Sequence, residues 1–129
     1  MLELRYRRTW IALVWLLAAL IIVASLVPNE EIAGPPGLDK LEHFAAYFTL
    51  TTLCAGIVAR ASIPWIIVGV ILLGLSMEAA QALFTESRTA DWADVLANTT
   101  GVLLAWLLVR RRVGWAMAAE AWLAGRRGH

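Results

Sequence analysis

Four long apolar stretches alternate with short polar or glycine- and proline-rich segments along this chain. Residues 10–27 carry no charge, 41–59 have Glu42 and His43 at their entrance, 63–84 contain one acid, Glu78, and 92–109 have Asp94 and Asn98 near their start. A helix needs roughly 20 apolar residues to cross about 30 Å of hydrocarbon. The pattern therefore predicts an all-α integral membrane bundle of four transmembrane helices in residues 1–112. The punctuation agrees. Pro28, Gly34, Pro35, Pro36 and Gly37 break 28–38 into an outer loop, 85–91 form a second outer loop, and Ser62 with Pro64 reads as the cap and first turn of the third helix. In the tail, 113–129, Trp115, Ala118, Ala119 and Trp122 recur at helical spacing. They predict an amphipathic helix along the inner headgroups, with a frayed tail as the alternative.

Composition strengthens the membrane reading. Of 129 residues, 60% are hydrophobic and 16% charged, and a domain of this size cannot hide so much apolar surface from water. A soluble enzyme domain, a disordered chain and a disulfide scaffold are excluded, since the single cysteine, Cys54, has no intrachain partner. The first stretch follows Arg5, Arg7 and Arg8 as a secretory signal would. Its 18 apolar residues include two tryptophans, which exceeds the usual signal core of about 7–15 residues, and no A-x-A site follows.

Charge placement sets the expected orientation. With four spans, nine cations (Arg5, Arg7, Arg8, Arg60, Arg110, Arg111, Arg112, Arg126 and Arg127) share one side with both termini, and two (Lys40 and Arg88) lie opposite. The positive-inside bias then puts both termini in the cytoplasm. Trp10, Trp65 and Trp106 fall near the inner boundary and Trp92 near the outer, as an aromatic belt would.

The acids are skewed the other way: eight of the ten fall in the outer loops or outer halves of helices, leaving Glu3 and Glu120 inside. Asp39-x-x-Glu42 and Asp91-x-x-Asp94 read as helix starts, where a carboxylate caps free N–H groups. Glu78 is harder to explain by local structure. It lies roughly 9 Å from the outer end of its helix at about 1.5 Å per residue, where an unpaired charge costs several kcal/mol. Gln81 points the same way. His43, Tyr47 and Thr51 share a face of the second helix, and Asp91, Asp94 and Asn98 share a face of the fourth that continues into Gly101 and Ala105. Three helices thus aim polar groups at one region, with Lys40 and Arg88 its only cations. The choices are an interhelical hydrogen-bond network or a ligand pocket.

Within that region Asp39, Lys40, His43, Tyr47, Glu78, Gln81, Arg88, Asp91, Asp94 and Asn98 are the candidate ligand-binding residues. His43, Glu78 and Asp94 are the candidate proton-transfer groups. Asp91 and Asp94, one turn apart, are weak candidates for a divalent cation. No Ser/His/Asp or Cys/His constellation, phosphate loop or zinc spacing is present, so no cofactor is expected. The basic residues follow topology rather than forming a nucleic-acid patch.

The segments carrying these residues are also familiar. Asp39-Lys40-Leu41-Glu42-His43-Phe44-Ala45-Ala46-Tyr47 resembles the D-K-x-x-H-x-x-x-Y entrance of the VanZ-like membrane proteins. Glu78-Ala79-Ala80-Gln81 and the Arg88-to-Gly101 segment, with Asp91, Asp94 and Asn98, resemble the family's E-x-x-Q and R-x-x-D-x-x-D-x-x-x-N-x-x-G segments. The resemblance spans about residues 10–110. It implies a multi-pass protein of the bacterial cytoplasmic membrane. The family takes its name from a member associated with resistance to the glycopeptide teicoplanin, and its general molecular activity is not established. The expected function is a polar pocket near the outer leaflet that binds an anionic lipid or cell-wall precursor. One alternative is a metal-assisted hydrolase or transferase on such a lipid. Another is a non-catalytic scaffold, as a homodimer or with a membrane partner. A proton-coupled transporter fits less well, because the acids gather at one side.

Overall fold

In a computed structural model, residues 2–26, 37–84 and 91–126 are described, and all their regular structure is helical. The long apolar runs become α1 (Arg7–Leu26), α2 (Leu38–Ile57), α3 (Ile63–Phe84) and α4 (Trp92–Val109), and the tail becomes α5 (Trp115–Arg126). Of the expected loops, 28–36 and 85–90, with Arg88, lie outside the described residues. A 3-10 turn, Arg60–Ser62, leads straight into α3, with Pro64 its second residue, where a missing N–H costs nothing.

Among the described residues, three segments are long and apolar enough to cross a membrane: α1, Arg60–Phe84 and α4. In length α2 equals α1, at 20 residues, but it opens with Asp39, Lys40, Glu42 and His43. From Tyr47 onward α2 is the most enclosed helix, with Tyr47, Leu50, Thr51, Cys54, Ala55, Gly56 and Ile57 all buried, whereas α1 buries only Ile21 and Ser25. The charged first turns of α2, Asp39 to His43, stay half-buried or exposed. Elsewhere α1 leaves Trp15, Leu16, Leu20 and Val23 uncovered, as do α3 and α4 with Trp65, Leu72, Trp92 and Leu108.

The α2–α4 contact is the closest in the bundle. A Cβ placed on Gly101 would lie 2.5 Å from the Phe44 carbonyl oxygen and 3.1 Å from the Phe48 nitrogen, so the two backbones touch. Small residues allow this approach, and Val102 and Ala105 beside Gly101 are fully buried.

At the other end of α2 the tail docks. Gly114, at φ 80°, turns the chain so that its N–H donates to the Ala55 carbonyl at 2.8 Å. The Trp115 indole donates to the Thr52 carbonyl at 3.0 Å and lies where Gly56 has no side chain. Glu120 then accepts from the backbone N–H groups of Arg5 (2.8 Å) and Tyr6 (3.0 Å) and from the Trp10 indole (2.8 Å). Its carboxylate therefore caps α1 from the far end of the chain. Two contacts here go beyond what the sequence pattern predicts. Trp10 packs edge-on to Trp115, with ring centroids 5.5 Å apart, instead of serving only as a belt residue. The docked face of α5 is Trp115, Ala116, Ala119 and Glu120, while Ala118 and Trp122 point outward. A tail laid against protein buries whichever side meets α2 and the N-terminus, which helical spacing alone does not specify.

Partial burial pushes the Glu120 carboxyl upward in pKa, but the Tyr6 and Arg5 N–H groups and the Trp10 indole outweigh it and hold the value below the usual 4.5. A lowered native pKa means the tail contact is complete above the ordinary value and is lost as pH falls through the native one. The Trp10 indole N–H resonance should therefore shift on acidification, and Glu120→Ala should show the acid position already at neutral pH. An identical, pH-insensitive resonance in both proteins would refute the cap. At the helix contact, Gly101→Ala should lower stability by about 1–3 kcal/mol through overpacking. Gly69→Ala, with nothing within 4 Å, should leave it level or slightly raised, and thermal unfolding in detergent compares the two.

Candidate functional site

The end of the bundle where α1 and α3 finish and α2 and α4 begin collects the polar residues. Helical spacing puts Lys40, His43 and Tyr47 on adjacent turns of α2 and Asp91, Asp94 and Asn98 on one face of α4. The Gly101 contact brings those faces together. Lys40 Nζ lies 2.7 Å from Asp39 Oδ2, Asp91 Oδ2 and Asp94 Oδ1. With Asp94 the contact is an ion pair without hydrogen-bond alignment.

The two expected helix starts differ. Asp91 does cap α4, its Oδ1 accepting from the Ala93 N–H at 2.8 Å. The lysine, and then this cap, hold its carboxyl below the usual aspartate range. With one oxygen on the cap and the other on Lys40, Asp91 is fully engaged. Asp39 does not cap α2. The N-cap is Gly37, at φ 86° with no side chain to offer, and Asp39 sits inside the first turn paired with Lys40.

Deeper in, His43 Nδ1 contacts Asn98 Oδ1 at 3.1 Å, and Nε2 faces Asp94 Oδ2 at 3.7 Å, beyond hydrogen-bond reach. From α3, Glu78 is 4% exposed. Its Oε2 accepts a long 3.4 Å bond from the Asp91 N–H, while Oε1 has no partner. Tyr47 OH and Asn98 Nδ2 are likewise buried without a hydrogen-bond partner. Gln81, although buried as expected, uses its amide on a different neighbour, donating to the Ser25 carbonyl of α1 at 2.8 Å. It ties α3 to α1.

The structure thus brings Asp39, Lys40, His43, Asp91, Asp94, Asn98 and Glu78 together. Two contributors escaped the sequence reading. Ser25, near the C-terminal end of α1, supplies the backbone carbonyl for Gln81. Gly74, one turn before Glu78, lets Tyr47 and Asn98 lie against α3; a Cβ there would be 3.3 Å from both side chains. Its i−4 spacing from Glu78 was the available signal.

Among the described residues the cluster sets four carboxylates (Asp39, Glu78, Asp91, Asp94) against one lysine. Such an excess in an apolar bundle attracts cations and hydrogen-bond donors and opposes a bare anion. The family model for VanZ/LLP1 matches residues 6–115, which include every residue of this cluster. No curated protein and no solved structure matches the chain.

Because Lys40 serves three carboxylates, Lys40→Met should cost about 1–3 kcal/mol, between the ranges for exposed and buried pairs. Asp39 has a side chain 43% exposed, so Asp39→Asn should cost under about 1 kcal/mol. Unfolding midpoints in detergent rank the two, and equal losses would mean that the lysine acts through Asp39 alone.

Proposed function

The chain belongs to the VanZ/LLP1 family, and from that premise we propose a four-span protein of the bacterial cytoplasmic membrane. In this reading its acid-rich end faces the outer leaflet and binds the head group of a cell-envelope lipid or lipid-linked precursor. The ends of the bundle support the topology. Through Glu120, α5 lies against residues 5 and 6, and Arg60 and Arg110–Arg112 follow the ends of α2 and α4 that point the same way. A cytoplasmic assignment of that end agrees with the positive-inside bias.

The observation that carries the reading is Glu78. Among the described residues this buried carboxylate has an oxygen without a partner, and leaving it bare within apolar helices costs several kcal/mol, which favours a partner supplied by a ligand. Beside it, Tyr47 OH and Asn98 Nδ2 offer hydrogen bonds to sugar hydroxyls or peptide carbonyls of a head group. Lys40 is committed to carboxylates, so the phosphate of such a ligand falls to Arg88, three positions before Asp91 in sequence. Altered access of glycopeptides such as teicoplanin to the envelope would follow downstream. A scaffold role is the second reading, favoured by the Lys40 and Gln81 ties that lock helices together.

Mass spectrometry of lipids that co-purify from the native membrane tests the proposal, paired with an equally expressed, folded Glu78→Gln/Arg88→Ala variant. A polyprenyl phosphate or cell-wall precursor should be enriched over bulk phospholipid in the wild type and lost in the variant. Equal recovery of bulk phospholipid alone from both would overturn lipid binding in favour of the scaffold.

A further inference from the structure

His43, Glu78 and Asp94 come from three helices, yet one ligand atom of each lies within 4.8 Å of the others. Asn98 determines what His43 offers. The amide oxygen only accepts, so their 3.1 Å contact puts the hydrogen on Nδ1, and in the neutral imidazole Nε2 then has its lone pair on the Asp94 side. Glu78 adds the independent sign of a missing ligand: it is more than nine-tenths buried, and Oε1 finds no donor among the described residues. A network built for packing alternates donors with acceptors, as Lys40 does with its aspartates and Gln81 with Ser25. Here three acceptors converge with no donor among them, and their mutual repulsion calls for a positive species in the middle.

A proton on His43 Nε2 would face Asp94, at 3.7 Å, and would leave Glu78 Oε1 without a partner; one metal ion would serve all three side chains. A first-row metal with bonds of about 2.0–2.2 Å holds ligands up to about 4.4 Å apart on one shell, so small side-chain shifts close this set around an ion. One imidazole and two carboxylates suit zinc or a neighbouring transition metal better than calcium or magnesium, which prefer oxygen alone. The ion would also cut the cluster's net charge from three negative to one.

We infer that His43, Glu78 and Asp94 form a binding site for one divalent transition-metal ion, with Asn98 orienting the imidazole from behind. Three protein ligands leave at least one coordination position for water or another ligand, as in catalytic rather than structural zinc sites. Asp91, the weaker sequence candidate, is occupied by its cap and by Lys40. Metal binding is independent of the lipid reading: it is measured without any envelope lipid, and either can fail alone.

The test uses the untagged full chain in detergent, stripped with a chelator and titrated with Co2+ and Zn2+. His129→Ala provides a background in which His43 is the only histidine of the two in the sequence. One Co2+ per chain should bind with visible ligand-field absorption that Zn2+ displaces. His43→Gln and Glu78→Gln should each abolish the absorption, and Asn98→Ala should weaken affinity about 10–100-fold without touching the ion. Should a variant misfold, pulsed electron paramagnetic resonance of the Cu2+-loaded His129→Ala protein decides: one coordinated imidazole nitrogen is expected. No stoichiometric ion, binding that survives His43→Gln and Glu78→Gln in folded protein, or no imidazole at the metal would each overturn the site.

Discussion

Gly101 against the Phe44 carbonyl is the contact that fixes the polar end of the molecule. Where two helix backbones touch, side chains on flanking turns have only one register in which to meet. One turn toward the N-terminus of α4, Asn98 faces His43, the residue before Phe44; two turns back, Asp94 faces both His43 and Lys40. A bulkier residue at 101 would separate the helices and open every one of these pairs together. The histidine tautomer, the lysine cluster and the orientation of Asp94 therefore all depend on a residue that carries no functional group. Gly74 plays a smaller version of this part on α3, where it admits Tyr47 and Asn98 beside Glu78.

The two ends of the bundle show opposite ways of holding a carboxylate. Glu120 is met by three N–H donors within 3.0 Å, so the tail interaction is complete within the chain. Glu78 has one long bond and a bare oxygen. Each accepts from the backbone where another helix begins, but the start of α1 offers Glu120 two N–H groups and an indole, while the start of α4 offers Glu78 only the Asp91 N–H at 3.4 Å. The difference between a finished structural contact and an unfinished one is why the functional reading rests on the Glu78 end.

Lys40 modifies that reading. Its charge is divided among three aspartates, so it works as a tie between α2 and α4 and leaves little attraction for a phosphate. The surplus of acid makes a cation, or a ligand rich in donors, the natural complement of the site. An anionic lipid would approach it through Arg88 or through an ion held by His43, Glu78 and Asp94. An ion there would also supply the Lewis acid that the enzymatic alternative requires.

Much of this architecture is legible in the local chemistry of the sequence. Long uncharged runs broken by proline and glycine can only be buried or lipid-facing helices, and spacing of three, four and seven placed Glu78 beside Gln81 and Asp94 beside Asn98. The Asp91 cap was equally readable, since the acid and the N–H it serves are two residues apart. What the tertiary structure decided are the contacts between residues far apart in the chain. Nothing periodic links Glu120 to Arg5, Gln81 to Ser25 or Trp10 to Trp115, and the enclosure of α2 from Tyr47 onward is a property of its neighbours. Asp39 reads as a cap from its own turn, yet Lys40, drawn across by two aspartates of α4, claims it. Helix periodicity specifies which residues share a face, while the partner that face meets depends on how backbones pack, and here that was set by a glycine.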